Sequence, residues 1–225
     1  MCAAGIDLDT EQHIRPVSAR GRLSTNLLTN YDGPFGMAVA LDIGTPSPLN
    51  NKPQVEDHII DPTKIKSIGT LPPGKFWKLL TRVADRKLID IFGQDLIRLG
   101  SSSCGVEVGK GSASLGCLIP ASRPYLYIRK RSNRNDQVRM QLDDGDFFLD
   151  CGVTDIRLYG EDHVTPDDRM VRRIEKRLKG DEQVILSMGL TRAYASSSDF
   201  DPVHWLQINN IHFKDDPTWQ LYNST

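Results

Sequence analysis

At 225 residues, with 39% apolar, 7% aromatic and 25% charged residues, the chain has the balance of a folded globular protein and not that of a disordered, fibrous or disulfide-dense one. That length admits one large domain or two of roughly 100 residues. A formal net charge of −1 excludes a general attraction to nucleic acid, so any such binding has to come from a local patch, and no apolar run approaches the roughly 18 residues that a membrane span needs.

The opening "MCAAGIDLDTEQ" lacks the basic and apolar regions of a secretory leader, so a cytoplasmic protein with no membrane partner is expected. The N-terminal half continues in short apolar pieces, "GIDLDT", "HIRPVS" and "GMAVALDIG", followed by "TPSPLNNKPQ", which suit strands and turns. "VEDHIID" gathers Glu56, Asp57, His58 and Asp61. Strand alternation puts Glu56 and His58 on one face and Asp57 on the other, which predicts a polar loop or a strand junction; a catalytic metal site needs several convergent carboxylates. Over 71–92, Phe76, Leu79, Leu80 and Val83 recur at helical spacing after Pro72, Pro73 and Gly74, and predict one helix. "LGSSSCGVEVGKGSASLG" (99–116) reads as a small-residue connector. It is not a phosphate loop, because only three residues separate Gly105 from Gly109 and Lys110 precedes Gly111.

From 117 onward the alternation is clearer. In "YLYIRKR", Leu126 and Ile128 share the inner face, while Tyr125, Tyr127, Arg129 and Arg131 share the outer one. The return strand "QVRMQL" puts Val138, Met140 and Leu142 inward and Arg139 and Gln141 outward, with "SNRND" as the turn. "DDGD" (143–146) then leads into "FFLDCGVTDIRLY", giving three consecutive antiparallel strands. "TPDDRMVRRIEKRLKG" predicts a helix with Thr165 as N-cap, Pro166 at its first position and Gly180 at its end. Met170, Val171, Ile174 and Leu178 form its apolar stripe. Arg169, Arg172, Arg173, Lys176 and Arg177 form a charged face that reads as solvated surface, with an acidic lead-in that suits the helix dipole. Two strands, "QVILSMGLTRAY" and "HWLQINNIHF", follow, with "AYASSSDFDP" as a loop between them. Three strands, a helix and two strands is the element order of an oligonucleotide/oligosaccharide-binding (OB) barrel.

An OB barrel binds single strands on the face of its second and third strands, with aromatic platforms for bases and cations for phosphates. Tyr125, Tyr127, Arg129, Lys130, Arg131, Arg134 and Arg139 supply both kinds of group on one surface. Trp205, at the start of the last strand, either stacks on a base or packs at the rim. These eight are the candidate nucleic-acid-binding residues, and a solvated, solubilising hairpin is the competing interpretation. Cys2, Cys104, Cys117 and Cys151 contain no CxxC pair, which argues against zinc and predicts reduced thiols. No metal or cofactor is expected, and no Ser/His/Asp or Cys/His arrangement has a local signature.

The segments "AAGIDLDTEQHIRPVS" (3–18), "ALDIGTP" (40–46), "PQVEDHIIDP" (53–62), "SLGCLIP" (114–120), "FFLDCGVTDIRLY" (147–159), "VILSMGLTRAY" (184–194) and "HWLQINNIHF" (204–213) resemble the bacterial dual OB domain-containing family. That family is a group of two-barrel proteins associated with prokaryotic conflict and genome-defence loci. His13 stands where the family usually has Trp, and members tend to begin with a further strand ahead of the Cys-Ala-Gly segment. The resemblance implies a mainly β protein with small helices, made of two tandem OB-like barrels over about 1–115 and 116–225. It also implies a first barrel with an open edge, where a partner protein can add a strand. The expected function is a non-enzymatic subunit that binds or senses nucleic acid, single-stranded DNA or RNA, in a prokaryotic defence or DNA-processing system. The alternative is a protein–protein adaptor completed by a partner strand. An enzyme acting on nucleic acid ranks third, because no catalytic set converges.

Overall fold

In the computed structural model, residues 1–19, 23–132, 134–195 and 201–219 are described; the expected loop at Ser196, Ser197 and Ser198, and Asn133 in the hairpin turn, lie outside them. The first half contributes six short strands: β1 (Gly5–Ile6), β2 (His13–Ser18), β3 (Val39–Asp42), β4 (Ser47–Pro48), β5 (Asp57–Ile60) and β6 (Lys66–Thr70). Four of them form a sheet in the order β1-β2-β5-β4, with β2 and β5 parallel, and β3 pairs with β6 separately. Next come α1 (Pro73–Val83), β7 (Ala84–Asp85), α2 (Leu88–Phe92), β8 (Ile97–Arg98) and β9 (Cys104–Glu107).

The second half runs through β10 (Leu115–Leu118), β11 (Tyr125–Arg129), β12 (Gln137–Asp143), β13 (Phe148–Gly152), α3 (Asp168–Leu178), β14 (Val184–Leu190) and β15 (Val203–Phe213). Its pairings form a circuit. β11, β12 and β13 are consecutive antiparallel neighbours, and Val153 bridges to Ile208 of β15 in parallel. β15 pairs with β14, and β14 with β10, both antiparallel. The stretch 115–129 therefore serves twice, its first part lying on β14 and its second on β12. With α3 between the third and fourth strands of this circuit, the predicted OB order is observed.

The inner faces follow the alternation that the sequence predicts. Leu126, Val138, Met140 and Leu142 are all at most 2% exposed and join one core with Leu149, Met188, Ile208 and Phe213. Each such side chain contributes about 1.5–3 kcal/mol by leaving water. Val171, Ile174 and Leu178 of α3 complete that core. So do Leu88, Phe92 and Leu96, which precede the Gly/Ser segment, and Cys104 and Val106 within it.

Three local expectations need correction. The helix predicted over 71–92 breaks after Val83, because Ala84 and Asp85 pair in parallel with Cys117 and Leu118 before α2 begins. The 99–116 segment is more than a connector: Cys104–Glu107 is a strand paired on one side with β8 and on the other with Val203–Trp205 of β15. A Cβ added at Gly105 would lie 2.6 Å from the His204 carbonyl oxygen, so this glycine permits a close strand approach. The α3 N-cap is Asp167, whose carboxylate accepts from the backbone N–H groups of Arg169 and Met170, while Thr165 gives its hydroxyl to Asp162 at 2.5 Å. Strand pairing also crosses residue 115, since β10 spans Leu115–Leu118 and the six-stranded sheet β7-β10-β14-β15-β9-β8 takes strands from both sides of it. Among the described residues no helix is long and apolar enough to cross a membrane.

Candidate nucleic-acid interface

The register of β11 against β12 puts Tyr125 opposite Gln141, Tyr127 opposite Arg139 and Arg129 opposite Gln137, so the outer face carries the side chains that the sequence nominates. Tyr125 is 49% exposed and stacks on Tyr127, with ring centroids 5.6 Å apart and planes 12° from parallel. The half-exposed Tyr125 ring at the end of this stack is a surface on which a base can stack.

The guanidinium groups behind the tyrosines are less available than their spacing suggests. Gln141 also faces Asp150 of β13, so Asp150 sits on the same outer face. Its carboxylate accepts the Tyr127 hydroxyl at 2.8 Å, Arg139 Nε at 3.0 Å and the Arg129 guanidinium. Arg139 also donates to the Asp150 carbonyl oxygen and is only 14% exposed in its side chain, while Asp150 is 8% exposed. One carboxylate therefore engages two predicted phosphate ligands, offsetting one of their two charges, and orients one predicted base platform. At the turn, Lys130 pairs with Asp136 at 2.7 Å, and Asp136 also accepts the Arg131 backbone N–H; the pairing raises the Lys130 pKa and lowers that of Asp136. Among the described residues, the exposed Arg131 and Arg134 side chains form no ion pair, so the free charge of the hairpin sits at its tip.

Beside β11 runs a groove of about 270 Å³, walled on one side by Tyr125 and Tyr127 and on the other by Asp168, Arg172 and Glu175 of α3, with Val171 and Leu126 beneath. Trp205 is not part of it. Its indole N–H donates to the Tyr194 carbonyl at 3.0 Å and its ring lies 6.1 Å from that of Tyr194, on the separate six-stranded sheet. The sequence did not single out Tyr194, which is 52% exposed; its only local signal is an aromatic in the loop after the fourth OB strand.

The Glu56/Asp57 cluster is a strand junction, as the alternation predicts, and it is buried. Asp57, 1% exposed, pairs with Arg15 Nε at 2.5 Å and with Arg192 at 2.5 Å. Arg15 also donates to the Ser114 hydroxyl at 3.1 Å, and Glu56 accepts the Ser114 N–H and hydroxyl at 2.7 Å each. Gln54 meets His204 Nδ1 at 2.8 Å. Both carboxylates are thus satisfied, Asp57 by Arg15 and by Arg192 of the second half, and Glu56 by Ser114. A cleft of about 390 Å³ alongside is lined by His13, His58, Asp85 and Asp90 among others, and among the described residues no group of three or more such side chains is arranged to hold a metal ion.

Two further arrangements had no sequence signal. Ser187 Oγ lies 2.9 Å from His212 Nε2, and Cys117 Sγ lies 3.7 Å from His13 Nε2. Cys117 sits in an apolar cluster with Phe76, Leu80 and Ile185, and the His212 ring meets Phe76 edge-on. Burial pushes the Cys117 thiol up to about 12, and those of Cys151 and Cys104 up to about 12 and 11, so none is a thiolate at neutral pH. All four cysteines are free. Burial likewise pushes His212 down to about 4 from 6.5, against the opposing pull of Asp155. Between those values the unfolded chain holds a proton that the folded one refuses, so stability falls as pH drops from 6.5 towards 4. The expected loss from this group is about 3 kcal/mol, at about 1.4 kcal/mol per unit. Urea midpoints recorded at neutral and acidic pH should show it, and His212→Phe should flatten that part of the acid limb.

Comparison with known proteins agrees with this architecture. No curated protein and no solved structure is matched. The profile of the family described as "Dual OB-containing domain" matches residues 1–211, nearly the whole chain, and the chain belongs to that family.

Proposed function

We propose that the chain is a non-enzymatic nucleic-acid-binding subunit that engages single-stranded DNA or RNA on the outer face of β11 and β12. The observation that carries this reading is the exposed Tyr125/Tyr127 stack, held on a rigid OB strand beside unpaired cations at Arg131 and Arg134. OB barrels bind single strands through aromatic platforms, commonly on their second and third strands; here the tyrosines stand on the first strand of the circuit beside the second, β12, and the family assignment supplies a fold of the binding type. Its setting in a prokaryotic defence or DNA-processing system rests on the family resemblance.

The test is fluorescence anisotropy of labelled oligothymidylate and oligouridylate at several salt concentrations. Tyr125→Ala should weaken binding by about ten-fold or more, since one base–aromatic stack is worth about 1–3 kcal/mol, while the salt slope stays unchanged. Equal affinity of the parent and Tyr125→Ala/Tyr127→Ala would remove the platform from the reading.

The adaptor reading draws on different strands. Among the described residues β1 borders its sheet, pairing with β2 alone, and β6 is exposed throughout, with Ile68 66% exposed. Both are edges of the kind that accept an added strand. A partner protein retained at high salt, together with no oligonucleotide binding, would favour it.

A further inference from the structure

The proposed platform leaves one question open: which groups hold the phosphates, given that Asp150 occupies Arg129 and Arg139. We propose that the exposed α3 cations, Arg172 on the groove wall and Arg169, Arg173 and Lys176 on the face beside it, hold the phosphates of a single strand whose bases meet Tyr125 and Tyr127. This rests on the reading of the tyrosine face as a nucleic-acid surface and moves its charge from the hairpin strands to the helix.

Position is the first support. Arg172 lines the groove whose other wall is the tyrosine pair. Lys130 feels the charge of Asp168, and Lys179 that of Tyr125, so β11 runs antiparallel to α3, with the hairpin tip at the N-terminal end of the helix. The unpaired Arg131 and Arg134 therefore prolong the α3 row beyond its first turn.

Availability is the second. On the same helix, Arg177 is held by Glu182 and Asp215, and Lys179 by Glu175. Among the described residues, Arg169, Arg172, Arg173 and Lys176 form no ion pair, and all four are exposed. Of the two acidic residues in the groove wall, Glu175 is already engaged by Lys179, and Asp168 lies at the helix start. In a chain of net charge −1, Arg172 on the groove wall and Arg169, Arg173 and Lys176 on the adjoining exposed face of α3 form a local positive surface beside an aromatic one. A polyanion with bases on one side and phosphates on the other matches that pair of walls; a duplex, with its bases stacked inside, has nothing to offer the tyrosines.

The experiment uses the full chain with the same labelled single strands and a duplex of matching length. Arg172→Gln/Arg173→Gln/Lys176→Gln should lower the salt slope by about 2, at about 0.7 per phosphate contact, and weaken binding about 100-fold near 0.1 M salt. Tyr125→Ala should weaken binding without changing the slope. Lys75→Gln/Lys78→Gln, on the exposed face of α1, should change neither quantity. Thermal melts check folding, and Arg172→Gln alone, with an expected slope change of about 0.7, serves if the triple variant unfolds. An unchanged slope in the α3 variants, with Tyr125→Ala still weakened, overturns the helix wall and leaves the tyrosine platform standing. Loss of all oligonucleotide binding in the parent overturns both. Duplex binding that needs α3 but not Tyr125 overturns the single-strand assignment. Oligothymidylate against oligouridylate tells DNA from RNA.

Discussion

Replacing Asp57 by Asn should destabilise the protein by about 3–5 kcal/mol, the usual cost of removing one partner from a buried ion pair. Asp57 and Arg15 are 1% and 5% exposed in their side chains, so Arg15 would remain as an uncompensated charge in the interior. Arg192, 60% exposed, can turn to water and contributes less. The loss is large against a typical folding free energy of about 5–15 kcal/mol. Its location matters for function, because Arg15, Glu56 and Asp57 join the first-half strands β2 and β5 to Ser114 at the start of β10 and to Arg192 just after β14. Urea unfolding should show a lower midpoint with an unchanged slope m. Arg15→Met/Asp57→Leu should recover much of the loss, because apolar replacement of a whole buried pair is often neutral. A stability loss below about 1 kcal/mol for Asp57→Asn would mean that the junction is wet and that the two halves are joined by other contacts.

How far the sequence reached depended on the distance over which each feature is encoded. The inner and outer faces of β11 and β12 were legible because alternation is a property of neighbours, and the observed register keeps Leu126, Val138 and Met140 inside. The order of the second barrel was legible for the same reason, each element having its own local period. β9 was not: "SSSCGVEVGKG" looks like a loop because it is rich in Gly and Ser, yet Gly105 is there to let Cys104–Glu107 press against β15, and the partner strand lies about a hundred residues away in sequence. The buried junction was invisible in its partners, since Arg15 meets Asp57 across 42 residues and Ser114 across 99. The site was half legible. Alternation placed the tyrosines and arginines on one outer face, as observed, but only the pairing of β12 with β13 reveals that Asp150 shares it, and with that the unpaired charge moves to the hairpin tip and the helix.

That redistribution predicts a variant whose two effects have opposite signs. Asp150→Asn removes the carboxylate charge between Arg129 and Arg139 while keeping the side-chain volume. Folding stability should fall by about 3 kcal/mol, the lower end for breaking a buried pair, because Arg129 is 41% exposed and can be solvated whereas Arg139, at 14%, cannot. Affinity for a single strand should rise. If the variant gains one phosphate contact on the β12 face, the salt slope steepens by about 0.7 and binding near 0.1 M salt tightens by about five-fold. Arg139→Ala should lower stability as well but leave the slope near that of the parent, since Arg139, 14% exposed, is held by the Asp150 carboxylate and carbonyl oxygen. A fall in affinity for Asp150→Asn that follows the loss of stability would indicate that the carboxylate acts only by fixing Tyr127, through the 2.8 Å bond to its hydroxyl. Tyr127→Phe separates the two roles, because it removes that bond while keeping the ring and every charge: if orientation dominates it should weaken binding as Asp150→Asn does, and if charge dominates it should leave both affinity and slope where they are.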